Sequence, residues 1–227
     1  MTQPIGLLPT PSAVLFDLDG TLVDTVAVRI DAWEQTLGEA GLPIDRDRLS
    51  PLIGLDGRRL AREVAALYGH RLDDDRAEAI DRRSGETYEG LNAAPMPLPG
   101  VGRLVAAIER RGIRWAIATS SRAAQVAPSV SALGLDHQPL IVDAGHVEHA
   151  KPEPDLLVYA ARELGVEPAT CWYIGDSTWD MLSAVAAGML AIGVTAGSAV
   201  DEATLAGAGA SAVVRGLDDV ADALDGS

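Results

Sequence analysis

The run Asp17-Leu-Asp-Gly-Thr21 places two carboxylates two residues apart, with a glycine and a hydroxyl beside them. An isolated Asp near a Gly makes a turn and nothing more, but this run has company further along the chain. Thr119-Ser-Ser121 is a cluster of hydroxyls suited to a phosphoryl oxygen, although a single hydroxyl more often caps a helix. Lys151-Pro-Glu-Pro-Asp155 sets an ammonium just ahead of a helix, where a lone lysine would ordinarily be a surface group. Asp176-Ser-Thr-Trp-Asp180 sets two further carboxylates four residues apart, and the first of them taken singly reads equally well as an N-cap. The order is acid pair, hydroxyl, lysine, acid pair. Weight comes from that order and from where each group stands.

Each stands where a strand ends or a helix begins. Five short apolar runs, 13–16, 115–118, 140–142, 172–174 and 190–194, read as buried strands. Stretches with helical periodicity, among them 101–110, 156–164 and 181–187, lie between most of them. Such alternation predicts an α/β fold, a Rossmann-like parallel sheet covered on both faces. Ligands of these sheets bind outside the carboxyl ends of the strands. Residues 26–40, 58–68 and 75–91 interrupt the pattern with helices and no strand, and Pro95, Pro97, Pro99 and Gly100 close the interruption like a hinge. We therefore expect an α/β core of residues 1–23 and 96–227, with a small inserted helical cap at 24–95 lying over the functional edge as a lid.

Asp17 to Thr21, Thr119, Lys151 and Asp176 to Asp180 match, in order, the four motifs of the haloacid dehalogenase superfamily, which this chain resembles from Val14 to about Val214. The insertion after Asp24 is similar to the cap of the subfamily that contains phosphoglycolate phosphatase and β-phosphoglucomutase. What the resemblance implies is a phosphatase working by double displacement. Asp17 would attack phosphorus and form an aspartyl-phosphate, splitting one hard step into two. Asp19 would protonate the leaving alcohol and then, as a carboxylate, deprotonate the attacking water. Gly20, Thr119, Ser120 and Lys151 would hold phosphoryl oxygens. Mg2+ would sit between Asp17, Asp176 and the backbone carbonyl of Asp19, and Asp180 would orient Lys151 or a metal-bound water.

Charge counting supports a metal independently. Asp17, Asp19, Asp176 and Asp180 set four carboxylates against the one ammonium of Lys151, a pocket that would repel a phosphate dianion. A hard divalent cation with oxygen ligands corrects this, and Mg2+ suits one or two carboxylates plus substrate phosphate. A proton on Asp19 would reduce the surplus further, and its position favours one there when substrate arrives.

The bulk composition excludes several classes. A formal net charge of −15, with no basic run, argues against nucleic acid or an anionic membrane as partner. No stretch approaches a membrane span, the first eleven residues lack the basic start and apolar core of a secretory signal, and Cys171 is the only cysteine. A cytoplasmic enzyme acting on a small phosphorylated metabolite fits these bounds. Of the 18 lysines and arginines only Lys151 is a lysine, which marks it for a role needing a compact ammonium and makes amine-selective labelling assignable to it or to the amino terminus.

Other features carry less. Arg58 and Arg62 lie one helical turn apart; as a pair they read as a solvated face, but Arg58, beside Gly57, is placed to touch substrate. His146 and His149 near Lys151 lack partners for a metal site, Gly207 and Gly209 read as a helix end, and Trp179 packs either beside the site or into the core. A haloacid dehalogenase has no use for Asp19. In β-phosphoglucomutase-like chains the cap carries a His where this sequence has Arg29 and an Arg where it has Gly57, so the sequence departs from a mutase. A non-catalytic phosphate-binding protein on the same fold would have lost the nucleophile or the metal acid, and neither is lost. The motifs leave phosphoglycolate, sugar phosphates and nucleotides open as substrates.

Overall fold

A computed structural model describes residues 2–226. Six parallel strands form one sheet: β1 (Ala13–Phe16), β2 (Arg114–Ala118), β3 (Leu140–Val142), β4 (Cys171–Gly175), β5 (Leu190–Val194) and β6 (Ala212–Val214), in the order β3-β2-β1-β4-β5-β6. The sequence pattern misses β6, because three apolar residues after an Ala-Gly run give no alternation to read.

Ten α-helices are present among the described residues: α1 (Val26–Glu39), α2 (Arg46–Leu49), α3 (Gly57–Leu67), α4 (Asp74–Leu91), α5 (Val101–Arg110), α6 (Ala123–Ala132), α7 (Asp155–Leu164), α8 (Thr178–Ala186), α9 (Glu202–Gly207) and α10 (Leu217–Asp225). Successive strand side chains point to opposite faces, so β1 divides its residues between two cores. Val14 and Phe16 pack with Leu104 and Ile108 of α5, Val126 of α6 and Val220 and Leu224 of α10. Ala13 and Leu15 pack with Leu156 and Leu157 of α7, Met181 of α8 and Leu205 of α9. Every residue of β1 is buried, as expected of a strand covered on both faces.

The first four helices build a third apolar cluster, with Ile30, Trp33 and Leu37 of α1, Leu60 and Val64 of α3 and Ile80 of α4 among its members. Asp45, Asp56 and Asp73 cap α2, α3 and α4, each side chain accepting from the N–H three residues on. The chain enters and leaves this helical insertion side by side. The N–H of Asp24 donates to the carbonyl of Met96 at 2.8 Å, and that of Leu98 to the carbonyl of Leu22 at 2.9 Å, with Val23 bridged to Pro97 in antiparallel sense. The proline-rich segment is therefore one half of a two-stranded ribbon.

Candidate active site

Strand register brings the sequence-distant acids together. Phe16 lies level with Ile117 of β2 and Ile174 of β4, so Asp17, Thr119 and Asp176 fall within the first two residues beyond three adjacent strand ends. The N–H of Asp17 donates to the carbonyl of Ile174 at 2.9 Å and that of Thr119 to the carbonyl of Val142 at 3.0 Å, which fixes both at the carboxyl edge. Asp17, Thr119 and Asp176 are buried. Gly20 turns the chain away with a φ of 82°, a left-handed conformation that glycine adopts freely. A Cβ there would lie 2.3 Å from Oδ2 of Asp176, so the backbone of the first motif passes directly against the carboxylate of the last.

Lys151 lies behind Asp17, its side chain 1% exposed. It donates to Oδ1 of Asp17 in a very short contact and pairs with Oδ1 of Asp180 at 2.8 Å. Ser177 caps α8 and donates to Oδ2 of Asp180 at 2.6 Å, while the hydroxyl of Tyr173 donates to Oδ1 at 3.0 Å. Asp180 thus pairs with Lys151, one of the two partners the sequence reading leaves open for it, and Ser177 rather than Asp176 is the N-cap. Lys151 is desolvated by burial, but pairing with Asp17 and Asp180 outweighs this and raises its pKa, so an amine-selective reagent would have to reach an enclosed, paired ammonium at this position.

Asp176 accepts from the hydroxyl of Thr21 at 2.9 Å, its only side-chain donor among the described residues. Oxygens of Asp17, Asp176 and Asp180 lie within 4.8 Å of one another, all three residues buried. Burial, followed by repulsion from Asp180 and Asp17, pushes Asp176 well above the usual carboxylate range. Burial likewise pushes Asp17 up to about 7 although Lys151 pulls it down. Three buried carboxylates facing one ammonium are short of positive charge, and an all-oxygen donor set suits a hard cation. The residues fit Mg2+.

Asp19 is held by four side-chain donors. Arg29 of α1 reaches Oδ2 of Asp19 at 2.7 Å, Ser121 donates to the same oxygen at 2.7 Å, and Thr25 and Tyr88 donate to Oδ1 at 2.7 and 3.0 Å. Burial pushes this carboxyl up, but Arg29, then Ser121 and Thr25, more than offset it, and its pKa is lowered. Four donors, one of them a cation, favour the ionised form of Asp19 with the pocket empty of substrate. Arg29, read in the sequence only as a departure from a histidine, is a site residue; its guanidinium also lies 3.5 Å from the ring centroid of Tyr88 and donates to Oε1 of Gln125 at 2.9 Å.

Between the sheet edge and the insertion lies a cavity of about 70 Å³, several times the ~10–15 Å³ a single water needs. Asp17, Asp19, Asp176, Thr119, Ser120 and Ser121 form its floor. The hydroxyl oxygen of Ser120 is buried with no hydrogen-bond partner among the described residues, so it is free to meet an incoming oxygen. Thr119 Oγ1 accepts from the N–H of Ser121 at 3.1 Å. The roof comes from the insertion and includes Arg29, Trp33, Gly57, Leu60, Asp81 and Ser84.

Arg58 does not line the cavity. It pairs with Asp56 at 3.2 Å, its side chain 42% exposed, because Asp56 caps α3 and also takes up the side chain of Arg58 in that helix's first turn. Arg62 pairs with Asp74. His146 bonds Asp143 and His149 bonds Asp155, so the two histidines serve separate local contacts. Gly207 ends α9. Trp179 joins the insertion's cluster and donates to the carbonyl of Pro51 at 3.0 Å.

Residues 14–194 match the family profile of haloacid dehalogenase-like hydrolases. N-acetylmuramic acid 6-phosphate phosphatase of Pseudomonas aeruginosa is 32% identical over 216 residues, covering 94% of both chains. β-Phosphoglucomutase of Bacillus subtilis is 32% identical over 213 residues, covering 92% of this chain and 91% of that one. The crystal structure of a hydrolase from Pseudomonas syringae superposes with a TM-score of 0.89 at 32% identity, covering 94% of this chain and 98% of that one. The chain belongs to the haloacid dehalogenase-like hydrolase family.

Proposed function

We propose that this phosphoric monoester hydrolase removes the phosphoryl group of a small phosphorylated metabolite, a sugar phosphate or phosphoglycolate, through an aspartyl-phosphate on Asp17. The observation that carries the reading is Asp17 itself: a buried carboxylate at the end of the central strand, backed by the only lysine and facing a cavity beside the unpartnered Ser120 hydroxyl. Asp17 attacks phosphorus while the bond to the leaving alkoxide breaks. Asp19 supplies that oxygen with a proton, and takes one from water when water attacks the aspartyl-phosphate and releases inorganic phosphate. The ionised Asp19 is the form the second step needs; for the first, the approach of a phosphate dianion raises its pKa. Ser120, Thr119 and Lys151 hold the non-bridging oxygens as charge develops.

Asp17, Asp176 and the backbone carbonyl of Asp19 would hold Mg2+, with Asp180 nearby on Lys151. The bound cation supplies neutralisation of the phosphoryl charge. Residues 24–95 act as a cap over a core of 1–23 and 96–227, excluding water during the first step. The reading is of a cytoplasmic enzyme; no helix among the described residues is long and apolar enough to cross a membrane.

A phosphomutase is the second reading, favoured by the identity with the Bacillus enzyme. Against it stands position 57, where the resemblance sets an arginine in mutases. Here it is Gly57, and an oxygen of Asp81 fills the space a Cβ would take. Release of inorganic phosphate from a panel of sugar phosphates and phosphoglycolate tests the proposal, measured with Mg2+ and with chelator. Asp17→Asn should abolish release; an active Asp17→Asn variant, or equal rates in chelator, would sink it.

A further inference from the structure

We infer that the half of the cavity facing the leaving group is built for a neutral, polyhydroxylated substituent and disfavours one bearing a carboxylate or second phosphate. This rests on the phosphatase reading above and names the substrate class within it.

The first argument is charge. Two cations line the cavity, Arg29 and Arg122, and both are engaged. Arg29 holds Asp19 at 2.7 Å. Arg122, at the N-cap of α6, holds Asp81 at 2.5 Å and Glu78 at 2.8 Å, both on α4. Arg58 is tied to Asp56 outside the lining, and Lys151 to Asp17 and Asp180. An anionic leaving group would therefore have to displace a carboxylate from an established pair, in a site already rich in carboxylates.

The second argument is what occupies the roof. Asp81 lines the cavity with its side chain 19% exposed. A Cβ at Gly57 would lie 1.9 Å from its Oδ1, and one at Gly85 would lie 2.3 Å from Nε2 of Gln125. Two glycines of the insertion thus leave the room that a carboxylate and a carboxamide take up. Asp81 and Ser84 on α4, with Gln125 on α6, offer acceptors and donors to hydroxyl groups. A carboxylate acceptor repels another carboxylate and welcomes an O–H. Trp33 and Leu60, also on the lining, give an apolar face for the carbon skeleton.

The test uses pairs of phosphate esters matched in carbon number and differing by one carboxylate: sorbitol 6-phosphate against 6-phosphogluconate, and glycerol 3-phosphate against 3-phosphoglycerate. Phosphate release is measured for each with Mg2+ present, and p-nitrophenyl phosphate reports phosphatase activity independent of the leaving group's hydroxyls. The neutral member of each pair should have the larger kcat/KM, by at least about 10-fold, the factor that corresponds to one modest interaction. Asp81→Asn should narrow that ratio within each pair, because it removes the repelling charge and loosens Arg122 while keeping the side chain's shape. Hydrolysis of the aryl ester with the acidic members favoured or equal would overturn the inference and leave the phosphatase reading standing. An unchanged ratio in Asp81→Asn would overturn the assignment of Asp81. No release from any ester would overturn the phosphatase reading, and this inference with it.

Discussion

Arg29 on the first helix of the insertion pairs with Asp19 on the loop after β1 at 2.7 Å, both side chains nearly enclosed at 13% and 11% exposure. The acid–base group of the proposed reaction therefore has its ionisation set by a residue from the other side of the cavity.

That arrangement predicts a pH effect. Arg29 lowers the pKa of Asp19, and Asp19 must be ionised to accept a proton from water. In Arg29→Met the burial that opposes ionisation remains while the cation is gone, so the pKa rises. With an aryl phosphate, whose departure needs no acid, the acidic limb of the kcat profile should move to higher pH. An unmoved limb would show that Arg29 does not govern Asp19.

Lys151 should prove structural as well as functional. Its removal in Lys151→Met strands Asp17 and Asp180 without their cation, and breaking a buried pair costs about 3–5 kcal/mol. Urea melts near neutral pH would report it. The sign follows from the raised lysine pKa. The pair's stabilisation is fully present below the ordinary value of 10.5 and is lost only as pH climbs through the higher folded value. Reductive methylation of the folded protein should spare Lys151, with labelling appearing on unfolding; ready labelling in the native state would contradict its enclosure.

Cation binding should stabilise the protein more at pH 8 than at pH 6. Asp17 is raised to about 7 and Asp176 well above its ordinary value, so without a cation the folded state retains protons that the unfolded state has released. Raised carboxyl values contribute stability below the unfolded pKa and lose it as pH rises through the folded one. A bound divalent ion replaces those protons and adds stability by mass action. Thermal melts with and without Mg2+ at the two pH values check this, and Asp176→Asn should shrink the shift.

Gly20→Ala should be severe for so small a change. The left-handed φ of 82° is strained for alanine, at roughly 1–2 kcal/mol, and its methyl group would meet Asp176 at 2.3 Å. Phosphatase activity should fall by more than the melt does, since the collision is with the site itself. Alanine tolerated at wild-type rates would mean that the loop has room the geometry does not show.

The four motifs were legible because three sit at strand ends and Lys151 just ahead of a helix, and a short apolar run followed by a polar group is a local pattern. For Asp180 the resemblance left two partners open, Lys151 or a metal-bound water, and spacing alone does not choose between them. Arg29, Asp81 and Gln125 were not legible. They come from three helices, α1, α4 and α6, whose approach to the sheet edge is set by tertiary packing, and an arginine on an amphipathic helix looks the same in sequence whether it meets water or a carboxylate. Arg58 misled for the same reason in reverse. Next to a glycine in a loop it looked available, yet Asp56, two residues earlier, holds it. β6 escaped because its three residues are stabilised by pairing with β5 more than by any pattern of their own.

The ribbon that joins the insertion to the sheet has a consequence for descent. Leu22 and Leu98 are hydrogen-bond partners, so the chain departs from the sheet domain and returns at a single doorway. Everything between can be lengthened, shortened or exchanged without moving β1 or β2, because the ends to be rejoined are already neighbours. The proposed nucleophile Asp17 and its lysine stay on one side of that doorway, and the cavity's roof residues Trp33, Leu60, Asp81 and Ser84 lie on the other. A lineage can therefore trade one substrate for another by replacing a cassette of helices, provided the new cassette still brings a cation to Asp19 as Arg29 does here.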